Sequence, residues 1–176
     1  VYGAFDGALS NLGVGAIQQD TVAITIGTSA GVRVITDHPV IDPQERLFCY
    51  AVDNGLWVVG GPLNNGGDVY QWAVEHLVTP SAVQNEQTGP FTLASRVSEG
   101  EPAGANGLIF LPFLGGERAP LWDANARGSF FGLNNLHTRA DMLRAVMEGI
   151  CMNIATVYQA VCDLVGQPKS VTATGG

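Results

Sequence analysis

The stretch TVAITIGTSAGVRVIT, residues 21–36, decides the fold that the sequence predicts. Residues 21–26 are rich in β-branched residues and predict a strand, and residues 31–36 predict a second strand as its hairpin partner. The segment Gly27-Thr28-Ser29 lies between them and supplies the small residues of a tight turn. The stretch therefore predicts a hairpin with two hydroxyl groups at its tip.

Further helices and strands are predicted on both sides of this hairpin. Apolar side chains recur at i, i+3 and i+4 spacing over residues 138–165, and Thr138 with Asp141 resembles a capping box, so we predict a long helix there. Asp68 with Gln71 predicts a second capped helix in the same way. Other helices are predicted at 6–17 and near 91–98, and other strands at 47–52, 56–60, 107–111 and 170–174, with 128–133 either a strand or an extended turn. This order predicts an α/β domain with a mixed β-sheet flanked by helices.

Composition excludes several classes of protein. The 176 residues carry 8 Lys and Arg against 16 Asp and Glu, a net charge of −8, so we expect no nucleic-acid partner. The apolar runs fall short of the ~18–20 residues that span a bilayer, so we expect no membrane partner. The three cysteines lack a C-x-x-C pair and the three histidines lack ligand spacing, which predicts no metal site. Reduced thiols favour a cytoplasmic location.

Three segments share one design, an apolar strand that ends in small residues: ITIGTS (24–29), WVVGG (57–61) and VTATGG (171–176). Small residues let successive backbone N–H groups approach an anion, and Thr28 and Ser29 add hydroxyl donors. Each segment alone is also explained as an ordinary tight turn. Together they indicate a phosphate site.

Asp6 is the acidic candidate near these turns. It lies between glycines at the start of the helix predicted over 6–17, where its carboxylate can cap the first turn. The same carboxylate could also accept a proton from a hydroxyl that attacks phosphorus. The two interpretations are compatible.

The ordered set of motifs resembles the C-terminal domain of the FGGY carbohydrate kinases. The segments GAFDGALSNLG, ITIGTSAGVRV, GGPLNNGGDVYQW and GLIFLPFLGGERAPLWDANARGSFFGL are similar to that family in sequence and in order, and most similar to its gluconate kinases. The resemblance implies an actin/Hsp70-like (ribonuclease H-like) fold. It also implies that residues 1–176 are a partial C-terminal domain whose partner is the protein's own N-terminal domain, in keeping with chain ends that look cut.

The resemblance also implies a role for each site residue. Asp6 would be the catalytic base, and Gly27 and Thr28 would meet the γ-phosphate of ATP with Ser29 close by. Two further sets would contact the nucleotide: Gly61 with Asn65, and Gly175 with Gly176 at the start of an adenosine turn. ATP and Mg²⁺ are the implied cofactors. The Mg²⁺ ligands and most sugar contacts would lie outside this chain.

The expected activity is ATP-dependent phosphorylation of a sugar or sugar acid, with gluconate to 6-phosphogluconate preferred. Xylulose, ribulose and glycerol kinase are the near alternatives. A non-catalytic actin-like nucleotide-binding module and a purely structural domain also stay open. The apolar face of helix 138–165 permits a homodimer without requiring one.

One further cluster lies in the predicted loop 112–127. Its polar members are Glu117, Arg118, Trp122, Asp123 and Arg127. We expect a structural clasp of Arg–carboxylate pairs around a buried Trp, with a role in domain closure as the alternative.

Overall fold

A five-stranded sheet forms the centre of the domain. The structure is a computed structural model that describes residues 6–53, 55–78 and 89–175, with Asp6 described by its backbone alone. Its strands are β1 Thr21–Ile26, β2 Ala30–Thr36, β3 Phe48–Asp53, β4 Leu56–Leu63 and β7 Ser170–Gly175. They lie in the order β3-β4-β2-β1-β7. A separate two-stranded sheet pairs β5 (Ile109–Leu111) with β6 (Ser129–Phe131).

The predicted hairpin is confirmed, and its register aligns the strand ends. Strands β1 and β2 pair antiparallel from Val22 opposite Val34 to Ile26 opposite Ala30. Strand β4 pairs antiparallel with β2 and ends with Leu63 opposite Ala30. Strand β7 runs parallel to β1 and ends with Gly175 opposite Ile26. The carboxyl ends of β1, β4 and β7 therefore meet at one edge of a mixed sheet.

Helices cover both faces of this sheet. They are α1 Asp6–Gly13, α2 Gly67–Leu77, α3 Pro90–Glu99 and α4 Arg139–Val165. Helix α1 ends at Gly13, shorter than the predicted 6–17, because the chain turns at Gly15, where φ is 70°. The predicted Asn-Gly turn includes Asn54, which lies outside the described residues, as do residues 79–88 of the predicted loop.

Helix α4 packs across the sheet and organises the hydrophobic core. Leu143, Val146 and Val157 are fully buried on its inner face, and they belong to the same cluster as Val32 and Val59 of the sheet. By length and composition, this helix is apolar enough to span a bilayer. Unbroken apolar runs in the sequence do not indicate this, because polar residues interrupt them. Because 56% of its most apolar 18-residue window is buried inside the domain, core packing accounts for that apolarity.

One predicted capping box is confirmed and the other is wrong. At α4, the Thr138 hydroxyl accepts hydrogen bonds from Ala140 N and Asp141 N, while the Asp141 carboxylate accepts one from Thr138 N. Helix α2 instead begins at Gly67, one residue before Asp68. The amides of Gly67 and Asp68 donate to backbone carbonyl groups of the β1–β2 turn, and the Asp68 carboxylate accepts from the amides of Gly66 and Val69. Gln71 donates to Glu75 instead of completing a box with Asp68.

We predict that the contribution of Asp141 to stability is lost in acid. Hydrogen bonds from Thr138 and Asn106 lower the pKa of Asp141 to about 2, from 3.8. A lowered pKa means that the ionised group stabilises the fold above pH 4, and that this contribution falls as the pH falls from about 4 to about 2. Asp141→Asn should therefore reduce the free energy of unfolding at pH 7 and change it little near pH 2.

The measurement is denaturant unfolding of the protein and the variant across this pH range. Glu99→Gln, at an exposed carboxylate on α3, is the matched control and should show no such dependence. A difference between Asp141→Asn and the parent protein that stays constant from pH 7 to pH 2 would contradict the prediction.

Candidate phosphate-binding site

The β1–β2 turn presents free donors to solvent. Gly27, Thr28 and Ser29 are all exposed, and the Gly27 amide donates to the Ser29 carbonyl oxygen over 2.9 Å. Within the residues that the structure describes, the amides and hydroxyls of Thr28 and Ser29 have no hydrogen-bond partner. Consecutive amides with adjacent hydroxyls form a site suited to an anion such as phosphate.

Helix α2 holds this turn from behind. The Gly67 amide donates to the Gly27 carbonyl oxygen over 2.7 Å, and the Asp68 amide donates to the Thr28 carbonyl oxygen over 3.2 Å. A Cβ at Gly66 would lie 2.7 Å from the Ser29 carbonyl carbon, and one at Gly67 would lie 2.7 Å from the Gly27 oxygen. Glycine is therefore required at both positions for the helix to approach the turn. The carbonyl oxygens of Gly27 and Thr28 are therefore bound by α2, and the amides of Thr28 and Ser29 are the ones left for a ligand.

A cavity of about 370 Å³ opens beside the turn, between the sheet edge and α1. The lining residues are Gly7, Ser10, Thr25, Gly27, Thr28, Ser29, Ala30 and Arg33. Asp6 is the first residue of α1 and precedes Gly7, so the backbone of the predicted base lies next to a residue of the cavity wall. The three predicted turn residues and the helix of the predicted base thus share one cavity.

Gly175 lies at the same sheet edge as this turn. It pairs with Ile26, the last residue of β1, and has a φ of 133°. A Cβ at Gly175 would overlap the Ile26 carbonyl oxygen, so the packing of β7 against β1 by itself requires glycine there. Gly176, the other residue of the predicted adenosine turn, lies outside the described residues.

Gly61 and Asn65 contact protein rather than the cavity. A Cβ at Gly61 would come within 2.7 Å of the Ala119 Cβ and would collide with Val157 of α4, so this glycine lies against the core. The Asn65 side chain is fully buried. It donates to the Gly116 carbonyl oxygen over 2.6 Å and accepts from the Gly115 amide over 3.1 Å. Their predicted contacts with a nucleotide stay predictions.

A buried carboxylate joins Asn65 to the rest of the domain. Glu117 is 2% exposed, and its Oε1 atom accepts hydrogen bonds from the amides of Asn64 (2.6 Å) and Arg118 (2.8 Å). Its Oε2 atom accepts from the side-chain amides of Asn65 (3.0 Å) and Asn153 of α4 (2.6 Å). Four N–H donors therefore stabilise one charge, and they tie the segment before α2 to the long helix.

The prediction of Arg–carboxylate pairs around a buried Trp in loop 112–127 is wrong, and the loop is held by other hydrogen bonds. Arg118 donates to the Leu63 carbonyl oxygen, and Arg127 donates to the carbonyl oxygens of Ala124 and Ala126, so these described arginines bind backbone rather than carboxylates. Trp122 is 48% exposed, not buried, and its indole N–H donates to the Arg46 carbonyl oxygen. Sequence alone could not place these carbonyl groups, because they lie in other segments or follow from the loop's own path.

Arg33 is the cavity residue that the sequence analysis did not identify. It lies in β2 between the buried Val32 and Val34, and it is the one charged residue among the described residues that line the cavity. A charged side chain inside an otherwise apolar strand was the available signal, because alternate strand residues face opposite sides of a sheet.

Comparison with known proteins identifies the family. The FGGY family of carbohydrate kinases, C-terminal domain, matches residues 22–176. The gluconokinase of Bacillus subtilis (strain 168) is 43% identical over 179 residues, which cover 100% of this chain and 35% of that protein. The chain therefore belongs to the FGGY family of carbohydrate kinases, as a C-terminal domain.

Two solved structures from Lactobacillus acidophilus share the fold. A ligand-bound xylulose kinase superposes with a TM-score of 0.89 at 46% identity, and a gluconate kinase with a TM-score of 0.88 at 45% identity. Each alignment covers 99% of this chain and 34% of the other. The actin-like mixed-sheet fold is thereby confirmed. The chain spans about a third of the length of the curated relatives that it matches.

We predict that Glu117→Gln destabilises the domain by about 2 kcal/mol or more, the scale for buried donors left without acceptors. The amide nitrogen of the new side chain would face an N–H donor in either orientation, because both carboxylate oxygens of Glu117 accept from N–H groups. Glu75→Gln, at an exposed carboxylate on α2, should change stability by less than about 0.5 kcal/mol. Chemical denaturation of both variants is the test, and equal small effects would show that the buried network contributes little.

Proposed function

We propose that the protein containing this chain is an ATP-dependent carbohydrate kinase and that the turn at residues 27–29 binds the phosphoryl group it transfers. The observation that carries the proposal is the set of exposed, unpartnered donors at Thr28 and Ser29, within the part of the chain the structure describes. The turn lies in one cavity with the start of α1. Membership of the FGGY family supports the same activity.

Phosphoryl transfer demands positioning, charge stabilisation and a base. In the proposed step, a sugar hydroxyl oxygen forms a bond to the γ-phosphorus of ATP. The bond from that phosphorus to the β–γ bridging oxygen breaks, and ADP leaves with the bonding electrons. The Asp6 carboxylate accepts the hydroxyl proton. The amides of Thr28 and Ser29 stabilise the charge that develops on the phosphoryl oxygens.

The proposal also includes nucleotide contacts that only the family resemblance implies. They are those of Gly61, Asn65, Gly175 and Gly176. The positions of Gly61 and Asn65 favour an indirect role. Asn65 holds residues 115–117 beside the segment that leads into α2, and α2 in turn holds the phosphate turn.

Mg²⁺ enters the proposal only as the companion of ATP. The described residues contain no group of three or more His, Cys, Asp or Glu side chains that could hold a metal ion. No residue of this chain is therefore assigned to it, and no step is derived through it.

Gluconate is the proposed substrate, to be phosphorylated to 6-phosphogluconate. The similarity to the Bacillus subtilis gluconokinase supports this choice. The two Lactobacillus acidophilus structures carry different substrate names at nearly equal identity, so xylulose is the first alternative. A coupled ADP-release assay of the whole protein with gluconate, xylulose, ribulose and glycerol decides among them, and the highest kcat/KM should be for gluconate.

The same assay separates the kinase from the non-catalytic rivals. An actin-like nucleotide-binding module would release no ADP in response to any sugar. A purely structural domain would in addition show no rise in Tm with ATP and Mg²⁺. The cytoplasm, where ATP is abundant, is the location consistent with the proposed reaction.

We predict that Asp6→Asn in the whole protein lowers kcat for gluconate by at least about 10²-fold, the usual scale for a positioned base. The affinity for ADP should stay within about twofold, because the proposed base contacts the sugar and not the nucleotide. Asp53→Asn, at the exposed end of β3, is the matched control. Near-normal turnover of Asp6→Asn would remove this residue from the role of base.

A further inference from the structure

We propose that Arg33 supplies the positive charge of the phosphoryl-transfer site by binding an oxygen of the γ-phosphoryl group. This inference rests on the proposed function of the same cavity. It adds a residue to that site for which neither the glycine turns nor the family resemblance indicated a role.

The side chain of Arg33 is directed along the sheet toward the phosphate turn. Arg33 pairs with Ala23 and alternates with Val32 and Val34, so it lies on the face opposite the core. Its guanidinium reaches back over Gly31, where an added Cβ would lie 2.7 Å from Nη2 and 2.9 Å from Cζ. Gly31 is closer than Arg33 to the turn at residues 27–29, so the charge is displaced toward that turn.

Glycine on the neighbouring strand also leaves room for this path. Gly60 of β4 lies directly opposite Arg33, and a Cβ there would lie 3.1 Å from the Arg33 Cγ and would overlap the Val32 carbonyl oxygen. Beyond the stem, Nη1 donates to the Thr25 hydroxyl over 3.4 Å. Arg33 and Thr25 both line the cavity with Gly27, Thr28 and Ser29.

The chemistry of the cavity requires a charge that the turn does not provide. Amides and hydroxyls at residues 27–29 offer dipoles, whereas the γ-phosphoryl group carries negative charge that is spread over its oxygens during transfer. The chain as a whole has a net charge of −8, which disfavours polyphosphate binding. A guanidinium stays charged at every physiological pH and its planar donors match phosphate oxygens. Arg33 fits this need by type and by position.

The experiment uses the whole protein and compares Arg33→Met and Arg33→Lys with the parent. Arg96→Met, the same change at an exposed site on α3, is the control. Calorimetry gives the affinities for ADP and for a non-hydrolysable ATP analogue in the presence of Mg²⁺, and the ADP-release assay gives kcat and KM. Only the analogue carries a γ-phosphoryl group, so the ratio of the two affinities isolates the proposed contact.

We expect Arg33→Met to weaken analogue binding about tenfold more than ADP binding, and to lower kcat about 10²-fold. Arg33→Lys should recover part of both losses, because it restores the charge without the planar fork. Arg96→Met should change neither quantity.

Gly31→Ala provides a test that keeps the charge and moves it. The three atoms nearest to the added methyl group all belong to the flexible end of Arg33, so the strand should fold while the guanidinium shifts. We expect a smaller loss of analogue affinity and of kcat than for Arg33→Met. In the Arg33→Met background the same change should have almost no further effect, because there is no guanidinium left to displace.

Three results would overturn the inference. Equal weakening of ADP and analogue binding would indicate a structural role. An unchanged kcat and affinity ratio would show that Arg33 does not contact the γ-phosphoryl group. A pH profile of kcat/KM in which Arg33→Met differs from the parent only on the acid limb would show that Arg33 acts on the pKa of the base instead. If the parent protein phosphorylates none of the sugars, the proposed function fails, while the affinity ratio still decides the role of Arg33.

Discussion

The candidate phosphate site depends on two backbone hydrogen bonds that hold the β1–β2 turn against helix α2. The amides of Gly67 and Asp68, at the start of α2, donate to the carbonyl oxygens of Gly27 and Thr28 in the β1–β2 turn. A helix start and a tight turn each leave backbone groups unpaired, and here each satisfies the other. Two carbonyl groups of the turn are thereby fixed against the protein, while the amides of Thr28 and Ser29 have no partner within the described residues and the turn lines the cavity. The site is thus a property of backbone geometry, to which the hydroxyls of Thr28 and Ser29 are additions.

Close approach of backbones explains more of the glycine content than contact with a ligand does. Gly66 and Gly67 let α2 reach the turn, and Gly175 lets β7 lie against the end of β1. Behind them, the Glu117 carboxylate collects four N–H donors and fixes the Asn64-Asn65 segment that leads into α2. The phosphate turn is therefore supported by a helix start, and the helix start by a buried charge.

Local signals in the sequence predicted much of this arrangement. The bounds of β1 and the hairpin follow from alternation and small turn residues, and α4 follows from its apolar period and the Thr138–Asp141 capping box. The convergence of the first and last glycine segments at one edge follows from parallel pairing of β7 with β1. The N-cap of α2 is Gly66, two residues before the predicted Asp68, because the amides of Gly67 and Asp68 bond to distant backbone carbonyl groups that no local pattern indicates. The nucleotide contact expected of Asn65 came from the family resemblance, and its observed partners, residues 115–117, could not be predicted because they are some fifty positions away along the chain. Arg33 was missed because the position of its guanidinium depends on the pairing with Gly60 and on the free space above Gly31, which a sequence does not show.

Hydrogen–deuterium exchange of the whole protein, with and without a non-hydrolysable ATP analogue and Mg²⁺, shows whether the amides of the phosphate turn bind the nucleotide. The amides of Thr28 and Ser29 are exposed in the unliganded fold and lack partners within the described residues, so they should exchange fast. We expect the analogue to slow exchange at these two amides by about tenfold or more, while Gly67 and Asp68, already bonded to the turn, change little. Exchange at residues 27–29 that is unaffected by saturating analogue would contradict the account.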